Sequence, residues 1–267
     1  MSTPSVSLSQ LGRAAAAPMR WLSGWWRIIF FGASILVLAL APVSYGRVAR
    51  SAVMRHIYLD TAPILWWFTA LSALLTLVIT RIVVVTALSY GLSQYALEMV
   101  IRVLVLELIP LTAALFVALR CTIPNGAALA LMRREGRFDE IRRQGLDPVV
   151  TQVLPRVLAG IYCTITLAAV SCVVALVLAY LADYGWTLAG VPAYTNVFGH
   201  VFNPSVSLIF LLKTVFFSLA VAIIPMASGL YDIEGDGSRE SAALQGLVRM
   251  FAVLLVLEAA SLAGNYA

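Results

Sequence analysis

Charge is what this sequence has least of. Only 12% of its 267 residues are Asp, Glu, Lys or Arg, whereas 61% are hydrophobic and the mean hydropathy is +0.94. A soluble domain carries about twice that charge, which excludes a water-solvated core as the home of this much apolar surface. Lysine is nearly absent: Lys213 stands alone, and arginine supplies the other basic residues behind a net charge of +5. That balance does not point to nucleic acid, because the arginines flank hydrophobic runs, as they do at the cytoplasmic edge of a membrane. Cysteine is scarce and odd in number. Cys121, Cys163 and Cys172 lack metal-ligand spacing, and two of them lie inside an apolar run, so they read as small packing residues rather than a disulfide framework. His56 and His200 are isolated, with no H-E-x-x-H pattern; no G-x-x-x-x-G-K-[ST] loop and no G-x-S-x-G elbow occurs. These absences argue against nucleotide hydrolysis by a phosphate loop, zinc hydrolysis and serine-esterase chemistry. No catalytic residue, metal site or cofactor is expected. No early apolar stretch follows Met1, so no cleavable signal peptide is expected.

What the sequence does have is long apolar runs. A bilayer span needs roughly 20 such residues. The run 28–43 is short and is flanked by arginines on both sides, Arg13, Arg20 and Arg27 before it and Arg47, Arg50 and Arg55 after it. A crossing helix would place one cluster outside, against the positive-inside bias. An in-plane or re-entrant helix is the reading, with Trp21, Trp25 and Trp26 at headgroup level. Five spans are then expected, near 62–88, 99–119, 157–182, 206–230 and 250–263. The fold class is all-α and polytopic. Residues 1–61 form an N-terminal part with the interfacial helix, and residues 62–267 form a five-helix domain. The segment 121–156 carries Arg133, Arg134, Arg137, Arg142, Arg143 and Arg156, whereas 183–203 carries no Lys or Arg. This places 121–156 and the N-terminus on the cytoplasmic side and the C-terminus outside.

Few charges sit at membrane depth, where an unpaired one costs at least about 2.5 kcal/mol and must face a cavity or a partner. Glu107, Lys213 and Glu258 fall within three different spans; Arg81, Glu98 and Arg102 lie nearer an outer end. Glu98 and Arg102 are spaced to pair on one helix. The set reads either as the polar lining of a substrate path or as interhelical ion pairs. In the segment 122–155, apolar Leu129, Met132, Phe138, Ile141 and Leu146 alternate with charges. Such a stretch suits docking to a partner protein or to anionic headgroups.

From Leu104 to Tyr180 the sequence resembles the MlaE/YrbE family of ABC-transporter permeases. The matching pieces are Glu107-Leu108-Ile109-Pro110, Ala113-Ala114-Leu115, Arg120, Leu131-Met132-Arg133, Asp147-Pro148 and Pro155-Arg156-Val157-Leu158-Ala159-Gly160, in order and without gaps. The likeness continues more weakly through Lys213-Thr214-Val215, Tyr231-Asp232 and Glu258. It implies an in-plane helix plus five spans, two permease copies or paralogues around a lipid-sized cavity, separate ABC ATPase subunits below, and a periplasmic MCE-domain protein above. It implies a cell inner membrane location and no nucleic-acid partner. It maps the polar path to Glu107, Lys213 and Glu258, with Glu98 and Arg102 nearby. It maps ATPase coupling to Met132, Arg133, Phe138, Ile141, Arg142, Arg143, Asp147 and Pro148. The chain departs from the family at Leu106, Ile109, Ala128, Ala130 and Gly136. A lipid-moving permease and a non-transporting scaffold half of a heteromeric complex are the two functional classes that follow.

Overall fold

The computed structural model describes residues 17–42, 46–231 and 239–266; Arg13, Asp232 and Ala267 lie outside them. The described residues are helical almost throughout, and no strand occurs among them. Helix α1 (Ala17–Leu40) precedes α2 (Arg47–Ser89). A short turn leads to α3 (Ser93–Val100), which runs without a break through π-helical turns at Ile101–Leu108 into α4 (Ile109–Val117). A second π-helical stretch, Ala118–Thr122, joins α4 to α5 (Ile123–Arg134), and α6 (Arg137–Arg143) follows. The chain returns through π-helical Val149–Val153 into α7 (Leu154–Tyr184), then α8 (Val191–Val201), α9 (Pro204–Tyr231) and α10 (Arg239–Tyr266).

Among the described residues, five segments are long and apolar enough to cross a bilayer: Ala49–Ser89, Tyr95–Arg134, Val149–Tyr184, Pro204–Tyr231 and Leu244–Asn265. The apolar part of α1, Gly24–Leu40, is shorter. The polytopic all-α reading therefore holds, with one helix before five spans. The boundaries differ from the sequence reading in one instructive way. The second span does not stop near position 119 but continues as helix to Arg134. Pro124 sits in the first turn of α5, where its missing N–H costs nothing, and Arg133 and Arg134 complement its C-terminal carbonyls. The turn comes at Gly136, whose φ of +73° is left-handed; a side chain there would be strained. The family departure at Gly136 thus has a backbone reason.

The second and fourth spans form the inside of the bundle, and the first packs along the third. One apolar cluster fills the arginine-bearing half, around Ala113, Val117, Leu154, Leu167, Phe217 and Met226. A second fills the other half, around Leu97, Ile101, Leu104, Ala175 and Val206. Without a hydrophobic drive between helices in lipid, close backbone approach matters, and glycine supplies it. A Cβ on Gly126 would lie 2.8 Å from the Pro225 carbonyl oxygen, and one on Gly229 would lie 2.6 Å from that of Gly126. Helix α1 buries Ile28, Phe31 and Ile35, with Phe31 edge-on to Tyr231 at 5.9 Å, and leaves Trp26, Phe30 and Leu40 exposed. At the opposite end α8 closes over the bundle. Tyr194 donates to the Leu176 carbonyl at 2.9 Å, and burial pushes its phenol up to about 12.

Candidate functional site

The site begins with a proline. Pro110 has no N–H, so it cannot donate to the carbonyl four residues back, Leu106, or, in π geometry, to that of Val105. Both acceptors are buried, and each is covered from another span. Lys213 Nζ lies 3.2 Å from the Leu106 oxygen, and Cys172 Sγ lies 3.6 Å from the Val105 oxygen. The π-helical turns that carry Glu107 therefore coincide with an open stretch of the helix's own hydrogen-bond ladder.

Lys213 also donates to Glu107 Oε2 and lies 2.8 Å from Glu258 Oε2. Three spans thus converge on one charged layer, with side chains only 2% (Lys213), 10% (Glu107) and 14% (Glu258) exposed. Phe217, one turn on in α9, presents its ring 5.6 Å from the ammonium, a cation–π contact that helps retain a cation out of water. The layer sits at the seam between the two apolar clusters, about 14 Å along α9 from Pro204. Two carboxyl groups share one ammonium, an arrangement that can exchange a carboxylate for another anion at Lys213.

Glu98 and Arg102 are elsewhere. Arg102 Nε lies 2.9 Å from Glu98 Oε1, and both side chains are about one-third exposed, more than a turn closer to the Ser93 end than Glu107. Arg81 is exposed. The sequence reading missed Asn265, whose Nδ2 lies 3.4 Å from Glu107 Oε1. Its spacing from Glu258, two turns along one helix face, was the available signal.

The residues expected to couple to a partner gather at the arginine-bearing end. Arg133 donates to the Leu230 carbonyl and lies 6.0 Å from the Tyr231 ring. Phe138 packs against the main core, whereas Arg142 and Arg143 are exposed, with Arg142 3.7 Å from Asp139. Ile141 and Met132 are half-buried, and Met132 Sδ lies 3.8 Å from Arg156 Nη2. Asp147 caps the following turn through Val149 N at 2.8 Å, beside buried Pro148. Of the family departures, Leu106, Ile109 and Ala130 are buried apolar side chains and Ala128 is exposed.

A further polar node ties these parts together. Asn125 Nδ2 lies 3.0 Å from Asp60 Oδ2, and the thiols of Cys121 and Cys163 both reach the Asp60 carbonyl, at 3.5 and 3.6 Å. All three cysteines are free, and no cluster of metal-binding side chains occurs among the described residues.

Comparison with curated proteins found no match. The model of one protein family, described as Permease MlaE, matches residues 53–263. That stretch contains all five spans from the first turns of α2 to the end of α10, and with it the buried layer and the arginine-bearing hairpin. The chain is a multi-pass membrane protein and belongs to the MlaE permease family.

Proposed function

We propose that this chain is the permease subunit of an ABC transporter that moves a phospholipid or related lipid between the inner membrane and a periplasmic MCE-type carrier. ATP is hydrolysed in a separate chain, and a second permease copy or paralogue completes the membrane part. The arginine-bearing end faces the cytoplasm and the C-terminus faces the periplasm, in keeping with the arginine bias. The observation that carries the reading is the buried layer of Glu107, Lys213 and Glu258 in an otherwise apolar bundle.

Physical cost explains the design. Drawing two long acyl chains out of a bilayer costs about 20 kcal/mol, at roughly 0.8 kcal/mol per CH₂. A carrier must therefore offer a continuous apolar surface and draw on nucleotide hydrolysis. The exposed faces of the spans supply the surface, Lys213 supplies a cation for a headgroup phosphate, and the carboxylates hold that cation until a headgroup replaces them. The Glu98–Arg102 pair stands at the outer end of the same path. Nucleotide binding in the partner pushes on α6 and its flanks (Met132, Arg133, Phe138, Ile141, Arg142, Arg143, Asp147 and Pro148), and the shift reaches the spans through α5 and α9.

The test is lipid transfer by the complex in nanodiscs. The double variant Glu107→Gln, Lys213→Ala assembles with its ATPase and loses most transfer. Full transfer by this variant overturns the role of the layer and favours a scaffold subunit.

A further inference from the structure

A second cavity lies at the arginine-bearing end, far from the charged layer, with a volume of about 620 Å³. It falls within the roughly 300–1,000 Å³ of small-molecule sites. Its lining is divided. One wall is α1, through Phe31, Ser34, Ile35 and Leu38; the other is the hairpin, through Arg133, Asp139, Arg142 and Asp147. The ends of three spans meet around it: Arg133 closes the second, Val149 opens the third and Tyr231 closes the fourth.

These features fix the chemistry of an occupant. The cavity stands at a membrane boundary, because it is rimmed by span ends. Its α1 wall belongs to a helix whose outer face is apolar and exposed, with Phe30 68% and Leu40 82% accessible. Hydrocarbon therefore reaches this wall from outside. The opposite wall carries two guanidinium groups and two carboxylates. Their mutual engagement is loose: Arg142 and Asp139 are 3.7 Å apart with both side chains about two-thirds exposed, a pair worth little by itself. Asp147 caps Val149 through Oδ1. A purely anionic ligand would meet both carboxylates, and a purely apolar one would bury four charges. A phosphate that carries its own ammonium satisfies both signs, with arginines taking the phosphate and acids the amine.

We infer that this cavity is a second lipid site, holding a glycerophospholipid with a zwitterionic, ammonium-bearing headgroup, its upper chains along Phe31, Ile35 and Leu38. The site goes beyond the transport path: it glues α1 to the hairpin, so a lipid of the adjoining leaflet becomes part of the coupling machinery. An apolar side chain of the ATPase is the competing occupant.

The experiment uses the full chain in nanodiscs without ATPase, with a diazirine-bearing phosphatidylethanolamine as probe and the same probe on phosphatidylglycerol as comparison. Cross-linked peptides from α1 and from 133–153 are expected with the first probe and at several-fold lower yield with the second. Ser34→Trp fills the cavity from a partly exposed position, and Arg142→Gln removes one charge-assisted bond. Each is expected to cut that labelling about tenfold while labelling of the outer face of α2 stays constant, which controls for folding. Equal labelling by both lipids, or labelling unchanged in Ser34→Trp, overturns the site. So does displacement of the lipid by nucleotide-free ATPase with Ser34→Cys then cross-linking to that protein, which assigns the cavity to protein docking.

Discussion

Replacing Lys213 by methionine separates what the charged layer does for stability from what it does for transport. The substitution keeps length and removes the cation that two carboxyl groups share. At an effective dielectric of about 20, unit charges 2.8 Å apart attract by about 6 kcal/mol, but desolvation of the ions offsets most of that. What the variant exposes is the cost of leaving the partners behind: about 3–5 kcal/mol for an uncompensated buried charge, plus about 1–3 kcal/mol for the Leu106 carbonyl that loses its donor. For a domain of this size the result is a fall in Tm of about 10 °C or more. The triple variant Glu107→Met, Lys213→Met, Glu258→Met removes the imbalance and keeps only the carbonyl penalty, because apolar replacement of a whole buried ion cluster is often neutral or stabilising. It should recover more than half of the lost stability and none of the lipid transfer. Both quantities are measured on one preparation, by thermal unfolding in detergent and by transfer in nanodiscs. A triple variant as unstable as the single one refutes the charge-imbalance argument; a triple variant that transfers lipid refutes the transport role.

Two further perturbations address other parts of the molecule. Gly126→Ala and Gly229→Ala each drive a methyl group into backbone across the α5–α9 crossing, so each should cost about 1–3 kcal/mol. Because both report on the same crossing, the double variant should cost less than the sum in thermal unfolding; strict additivity would show that the two contacts are independent. Arg142→Glu with Arg143→Glu reverses two exposed charges on α6 and should abolish ATPase association and stimulated turnover while leaving monodispersity intact. Unchanged assembly and turnover would remove the hairpin from the docking surface.

The architecture was legible because bilayer thickness is a blunt ruler: five runs of apolar residues needed no fine geometry to be counted. The buried layer was legible in part for a similar reason, since Glu107, Lys213 and Glu258 are conspicuous against hydrocarbon. That they meet was not, because it depends on which faces of three helices turn inward. Glu98 and Arg102 were paired correctly from their spacing, but their separation from the layer required the helix itself. The helical continuation to Arg134 was hidden by its charge: Arg133 and Arg134 look like loop residues, yet they sit where a helix end welcomes cations. Asn265 looked like tail, and only packing shows that it returns to Glu107. The dependence of Leu106 and Val105 on neighbouring side chains was readable in principle from Pro110, by asking which carbonyls a missing N–H strands.

That stranded pair has a mechanical corollary. The second span cannot complete its own backbone bonding at Pro110; a lysine and a thiol reaching over from neighbouring helices finish it. An incoming anion that draws the Lys213 amine away thereby unpins a hinge in the main chain at the same instant. Cargo occupancy and the bend of that helix are geared to each other, with no intervening relay of residues required to carry the message.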